Sequence, residues 1–235
     1  MKTENPKGLF ETIGYRFSDC SLLENALTHS SYANDKGLPY EKNNERLEFL
    51  GDAVLELVTS RFLFERYPTK PEGEMTTMRA SLVCEPSLAE AARAIHLGDY
   101  LKLGRGEIKT GGVKRDSILS DAFEAVIGAM YLDGGFSAAD AFIRRFLLTD
   151  IETKHLYYDS KSHLQELVQD HYHENTSIRY EVIDEWGPPH DKSFRIRCLV
   201  QGEELAVAEG HTKKKAESEA AYQALLKLKN GSFFS

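Results

Sequence analysis

Six carboxylates lie in two stretches that are otherwise almost entirely apolar. The first is Glu45-Arg-Leu-Glu-Phe-Leu-Gly-Asp-Ala-Val-Leu-Glu-Leu-Val58. On a helix turning about 100° per residue, Leu47, Leu50, Val54, Leu57 and Val58 fill one broad face, and Phe49, Ala53 and Leu55 widen it. The polar remainder is a narrow stripe of Glu45, Glu48, Asp52 and Glu56. Carboxylates at i, i+3 and i+4 repel one another, and Arg46, the one nearby base, points elsewhere on the wheel. The second stretch, Asp121-Ala-Phe-Glu-Ala-Val-Ile-Gly-Ala-Met-Tyr-Leu132, offers no polar side chain except Asp121, Glu124 and the Tyr131 hydroxyl. A helix apolar all round is buried, so its two acids are expected to be partly buried with it.

Two readings follow. The acids are solvated or salt-bridged surface groups, or two helices share a cation site. Buried charge is costly unless paired or bound to metal. Oxygen ligands without a nearby His or Cys suit Mg²⁺, with Mn²⁺ as a substitute. No Ser-His-Asp or Cys-His grouping suggests a covalent route, and His29 reads as structural. Gly51, which costs about 0.5–1 kcal/mol in a helix interior, points to close packing.

The elements that must hold these groups are legible from periodicity. Helical spacing runs through Glu45–Tyr67, Glu85–Leu97 and Ser117–Leu132, with Pro68, Pro71 and Gly134-Gly135 as stop signals. Residues 1 to about 150 contain no convincing strand. Beyond them the pattern changes. Residues 153–159 read as a linker, Ser162–Glu174 as a helix with a capping box from Ser162 to Gln165. Period-two alternation then marks three strands, around Ile178–Val182, Phe194–Val200 and Leu205–Glu209. Thr212 can cap an alanine-rich last helix through Lys229. The chain is thus expected to be an all-α domain, 1–152, followed by a small α-β-β-β-α domain, 160–229, and a tail, 230–235.

Composition narrows the classes. The 235 residues are 41% hydrophobic and 28% charged, an ordinary globular mix. No apolar run is long enough to span a bilayer, the first ten residues do not resemble a signal peptide, and three scattered cysteines (Cys20, Cys84, Cys198) read as reduced thiols. A cytoplasmic protein without a membrane partner is expected. Net charge is −8, and both parts are acidic, so any polyanion site must be a local patch. One candidate is the glycine- and lysine-containing loop Gly104–Arg115, through Lys109, Lys114 and Arg115, although a solvated loop fits equally.

The segment Asn44-Glu-Arg-Leu-Glu-Phe-Leu-Gly-Asp52 closely resembles the signature of bacterial ribonuclease III, the double-strand-specific endoribonuclease. His29-Ser-Ser-Tyr32, Glu72-Gly-Glu-Met75, Arg79-Ala-Ser-Leu-Val83, Gly111-Gly112 and Ser117–Ala129 extend the likeness in the family's order. The resemblance implies a dimerising helical endonuclease domain. Its core acidic site would be Glu48, Asp52, Asp121 and Glu124. Glu48, Asp121 and Glu124 would ligate metal, and Asp52 and Glu124 would be catalytic. Glu45 and Glu72 would be accessory acids near RNA. Phe49 would enter a socket on a second subunit, with Gly51 beside it at the interface.

A second resemblance covers 160–229. The α-β-β-β-α order, Gln165-Glu166, Gly187-Pro-Pro-His190 and Thr212-Lys-Lys-Lys-Ala216 are similar to a double-stranded RNA-binding domain. A-form RNA is read by shape, through minor-groove 2′-hydroxyls and phosphates. Gln165, Glu166 and His190 would reach the groove, and Lys213, Lys214 and Lys215 would meet phosphate at a helix N-terminus. Glu217 departs from the pattern, where a further lysine is common. The expected function is Mg²⁺-dependent hydrolysis of double-stranded RNA to 5′-phosphate and 3′-hydroxyl ends with short 3′ overhangs. Processing of ribosomal RNA precursors and some messenger or transfer RNA is expected with it. A non-catalytic double-stranded RNA-binding protein is the alternative, disfavoured because all four core acids are present.

Overall fold

A computed structural model describes residues 7–172, 177–188 and 192–229, and the chain divides into two compact units between Ile151 and Glu152. The first unit is helical: α1 (Lys7–Ile13), α2 (Cys20–Ala26), α3 (Ser30–Lys36), α4 (Glu45–Arg66), α5 (Glu72–Leu82), α6 (Glu85–Ala94), α7 (Arg105–Lys109) and α8 (Asp116–Phe146). Its described residues form no sheet, only an isolated bridge between Thr28 and Lys102.

The unit is built around α8, which packs against α2, α4 and α6. Phe123, Ile127 and Met130 of α8 and Leu55 and Leu63 of α4 are among the largest fully buried side chains. The expected burial of the Asp121 stretch is observed from Ala125 through Met130. At the predicted stop, Gly135 breaks the helix with φ +71° and ψ −172°, and helix resumes immediately. A backbone there that L side chains rarely adopt explains the glycine.

The inward face of α4 differs from the wheel. Leu47, Gly51, Val54, Leu55, Val58 and Leu63 are buried, whereas Leu57 is 58% exposed. The reason is the α4–α8 crossing, which centres on a glycine pair. A Cβ at Gly51 would lie 1.8 Å from the Glu124 carbonyl oxygen, and one at Gly128 would lie 2.2 Å from the Leu47 carbonyl oxygen. The contact stripe follows Gly51 rather than the bulkiest residues. Gly51, expected beside Phe49 at a subunit interface, is buried against α8 of its own chain.

The second unit comprises α9 (Ile151–Tyr158, mostly within it), α10 (Ser160–Tyr172), β1 (Ile178–Trp186), β2 (Ser193–Val200), β3 (Glu203–Gly210) and α11 (Lys213–Lys229). The strands form an antiparallel meander in the order β1-β2-β3. Tyr180 faces Cys198, which faces Ala206 across the second pair. The β2–β3 hairpin turns through Gln201 and Gly202, both at positive φ (54° and 86°), the geometry favoured in two-residue hairpins. Leu164 and Val168 of α10 and the alanine and leucine face of α11 close the core on one side of the sheet.

Three local expectations change. The linker stretch 153–159 is helical through Tyr158, where it belongs to α9. Ser162 does not cap α10, which already begins at Ser160. That residue is buried, and its hydroxyl donates to the Ser218 carbonyl of α11. The Gly104–Arg115 loop contains α7 and a 3-10 turn at Gly112–Lys114.

Candidate functional site

The sequence around Asn43 starts α4 firmly. The Asn43 side-chain oxygen accepts from the Glu45 backbone N–H at 3.0 Å, and the Asn44 N–H donates to the Thr28 carbonyl at 2.9 Å. Both asparagines are buried. They fix the first turn, which carries Glu48 toward α8. Asp121 and Glu124 stand one turn apart on α8, and the glycine crossing draws the two helices close enough for their acids to meet. One carboxylate oxygen each from Glu48, Asp121 and Glu124 lies within 4.8 Å of the other two, and all three residues are half-buried.

The electrostatics match that crowding. Burial, then the charges of Asp52, Glu48, Asp121 and Glu56, push the Glu124 carboxyl up to about 8. Burial, then Asp121, Glu45 and Asp52, push Glu48 up to about 7. Asp121 is also raised, chiefly by burial. The Ser120 hydroxyl, 3.3 Å from its Oδ1, and His29 partly oppose this. Among the described residues no lysine or arginine pairs with any of the three. Converging oxygen ligands without a neutralising base fit a hard divalent cation.

The other predicted acids occupy different positions. Asp52 is exposed at the rim and adds to the field on Glu124. Glu45 bonds the Tyr40 hydroxyl. Glu56, the last acid of the stripe, pairs with Arg79, whose Nε lies 2.8 Å from its Oε2. Arg79 also donates to the Ser60 hydroxyl at 2.8 Å. Glu72 opens α5 outside the cluster. It accepts from the Thr76 hydroxyl at 2.9 Å and lines an open groove of about 410 Å³ with Leu57, Phe64 and Met75. Phe49, expected in a partner's socket, is 79% exposed.

Of the supporting features, the packing of Gly128 and the influence of His29 on Asp121 were not foreseen from the sequence. His29, read as structural, caps α3 by accepting from the Ser31 N–H at 3.2 Å and also bears electrostatically on Asp121. Its proximity depends on tertiary packing, which spacing cannot reveal. Gly128 had a visible signal, a glycine inside an otherwise apolar helix. Of the loop cations, Arg115 is committed to Glu107 at 2.8 Å, while Lys109 and Lys114 are exposed.

In the second unit Gln165 and Glu166 are exposed on α10, and Lys213, Lys214 and Lys215 are exposed on the first turn of α11. As expected, Thr212 caps that helix, its hydroxyl accepting from the Lys215 N–H at 3.1 Å. The Lys213 ammonium lies 5.6 Å from the centre of the Phe194 ring. Glu217, the departure from pattern, is bound by Lys161 at 2.5 Å. His190 lies outside the described residues.

Comparison with known proteins gives the same division. Residues 19–151 match the family model "Ribonuclease-III-like", and residues 160–228 match "Double-stranded RNA binding motif". The chain is 46% identical over 222 residues to a Ribonuclease 3 of Listeria welshimeri, spanning 94% of this chain and 96% of that one. It is 47% identical over 213 residues to a Ribonuclease 3 of Streptococcus pneumoniae, spanning 90% and 91%. Among solved structures, the nuclease domain of ribonuclease III from Campylobacter jejuni is similar, with 43% identity and a TM-score of 0.57. The match covers 60% of this chain and 95% of that one, and that protein is described as flexible in a region involved in dimer formation. A helical acid-bearing domain joined to an α-β-β-β-α RNA-binding motif, matched along nearly its whole length, places this chain in the ribonuclease III family of endoribonucleases.

Proposed function

We propose that this endoribonuclease hydrolyses double-stranded RNA at the Glu48–Asp121–Glu124 cluster, with Mg²⁺ as its ion and Mn²⁺ as a substitute. The observation that carries this reading is the convergence of three half-buried carboxylates within 4.8 Å, two of them pushed up to about 7 and 8. Such an ion, when bound, lowers the pKa of water and offsets charge on the phosphate. Glu48, Asp121 and Glu124 hold it, and Asp52 and Glu124 orient the groups that react. Glu45 and Glu72 are accessory acids on the RNA side. Water attacks phosphorus and the 3′ oxygen leaves, which yields 5′-phosphate and 3′-hydroxyl ends.

The second unit supplies affinity by shape. Lys213, Lys214 and Lys215 meet phosphate at the positive end of α11, while Gln165, Glu166 and His190 reach the groove. The working modules are 1–152 and 160–229, joined through 153–159 and ending in the tail 230–235. Precursor ribosomal RNA and some messenger and transfer RNA are the proposed substrates, in the cytoplasm, where the three free cysteines stay reduced.

A second copy of the chain completes the enzyme. Phe49, Ala53, Leu57 and Phe64 form an exposed apolar stripe on α4, beside the groove that Glu72 rims. Phe64 is 71% exposed. A two-fold contact across that stripe gives one acid cluster per RNA strand. Facing phosphates across the minor groove are offset in sequence, so paired cuts leave short 3′ overhangs.

Long duplex RNA and its single strands, each incubated with the full chain in Mg²⁺ or in chelator, test the reading. Duplex should be cut only in Mg²⁺, to staggered ends bearing 5′-phosphate. Equal cleavage of single strands, or intact duplex in Mg²⁺, would contradict it.

A further inference from the structure

Apart from the acid cluster, one other group of three residues among those described brings metal-ligand atoms together, and its chemistry is different. His155 lies on α9, Asp159 at the junction and His163 on α10, so the spacing is i, i+4, i+8. The helical pitch carries through the junction. The Asp159 N–H donates to the His155 carbonyl at 3.0 Å, and the His163 N–H donates to the Asp159 carbonyl at 3.1 Å. All three side chains therefore share one face. Each is half-buried, and one ligand atom from each lies within 4.8 Å of the other two.

The two imidazoles meet through their Nε2 atoms. Their Nε2 atoms are 3.2 Å apart, and the rings stand at 85° to one another with centroids 4.7 Å apart. Two nitrogens on a tetrahedral Zn²⁺, each bonded at about 2.0–2.1 Å, are separated by roughly 3.3–3.4 Å. The other nitrogen of His163, Nδ1, lies 3.7 Å from the Glu166 carboxylate. That separation is beyond hydrogen-bond length, and an outer carboxylate near the far ring nitrogen is a common companion of a metal-ligating histidine. Two imidazoles and one carboxylate select a borderline transition-metal ion and disfavour Mg²⁺, the reverse of the oxygen-only cluster on α4 and α8.

We propose that His155, Asp159 and His163 form a second cation site, of the Zn²⁺ class, with an open fourth position. Its ligands come from both sides of the α9–α10 junction, so a bound ion fastens α9 to α10. The inference does not depend on the nuclease reading. A 3.2 Å separation also suits one neutral imidazole donating to the other, and the experiment separates these states.

Full-length protein is titrated with Zn²⁺ in excess Mg²⁺, and metal uptake is followed by chelator competition while imidazole nitrogens are followed by NMR. In the wild type, Zn²⁺ should shift the Nε2 resonances of His155 and His163, and Mg²⁺ alone should not. His155→Ala and His163→Ala should each take up one fewer Zn²⁺ per chain, or bind that ion about tenfold or more weakly. Unmoved histidine resonances in the wild-type protein, a readout that needs no variant to fold, would overturn the proposal. Equal Zn²⁺ uptake by wild type and folded variants would overturn it as well.

Discussion

Gly51 and Glu124 touch through their backbones: a Cβ on Gly51 would come within 1.8 Å of the Glu124 carbonyl oxygen. The residue that lets α4 and α8 approach thus lies against the residue with the most strongly raised carboxyl in the cluster, pushed up to about 8. Close helix approach and carboxylate crowding are one feature. Removing the side chain at position 51 is what brings Glu48 within reach of Asp121 and Glu124.

Gly51→Ala must therefore push the helices apart or distort α8. Overpacking of this kind costs about 1–3 kcal/mol, and here it also spreads the carboxylates. Thermal melting should show a lower Tm, and Mg²⁺ activation should require more metal in whatever folds. Wild-type values of both would show that the crossing does not set the cluster.

The raised carboxyls give a pH signature. Both Glu48 and Glu124 lie above the ordinary 4.5, at about 7 and about 8. Between those limits the metal-free folded chain holds more protons than the unfolded chain, so their contribution is complete below about pH 4.5 and is lost as pH rises through 7 and 8. The Tm of metal-free protein should fall from pH 6 to 8.5. Because the ion needs the deprotonated acids, the Mg²⁺-induced rise in Tm should be larger at pH 8.5 than at pH 6. Glu124→Gln should flatten both trends, and a metal-free Tm that rises over this range would contradict the assignment.

Phe49→Ala tests the proposed two-fold contact. If the ring is buried by a second copy, its loss should weaken dimerisation by about 3–5 kcal/mol, visible by sedimentation as a shift to monomer. The intramolecular core should be little affected, since Phe49 is 79% exposed in the single chain. An unchanged dimer constant would move the interface elsewhere.

How much of this the sequence disclosed depends on range. The acid pairs, the three-strand meander and the Thr212 cap follow from local period and capping chemistry, and all were legible. The α4 burial face was misread at Leu57 because the stripe is chosen by α8, whose glycine at 128 docks beside Gly51. Ser160 could not be recognised as the start of α10, because its partner is the distant Ser218 carbonyl. His29 bears on Asp121 across the fold for the same reason. Pairing of Glu56 with Arg79, which separates one acid of the stripe from the others, likewise joins two helices.

For the lysines on α11, salt dependence is diagnostic. Each phosphate contact releases counterions, so replacing Lys213 and Lys214 by Ala should reduce the slope of log K against log salt by roughly 0.9 per lysine. Cleavage chemistry at saturating duplex should persist. An unchanged slope would show that these exposed ammonium groups do not touch phosphate.

In the proposed mechanism the α4–α8 carboxylates perform the chemistry while the second unit holds the duplex. Glu124→Gln tests it most directly, because the substitution keeps shape and removes charge. Binding and cleavage of the same labelled duplex should be measured side by side in saturating Mg²⁺. Duplex affinity should stay close to wild type, with cleavage reduced about a hundredfold or more. Near-normal cleavage by the folded variant would contradict it.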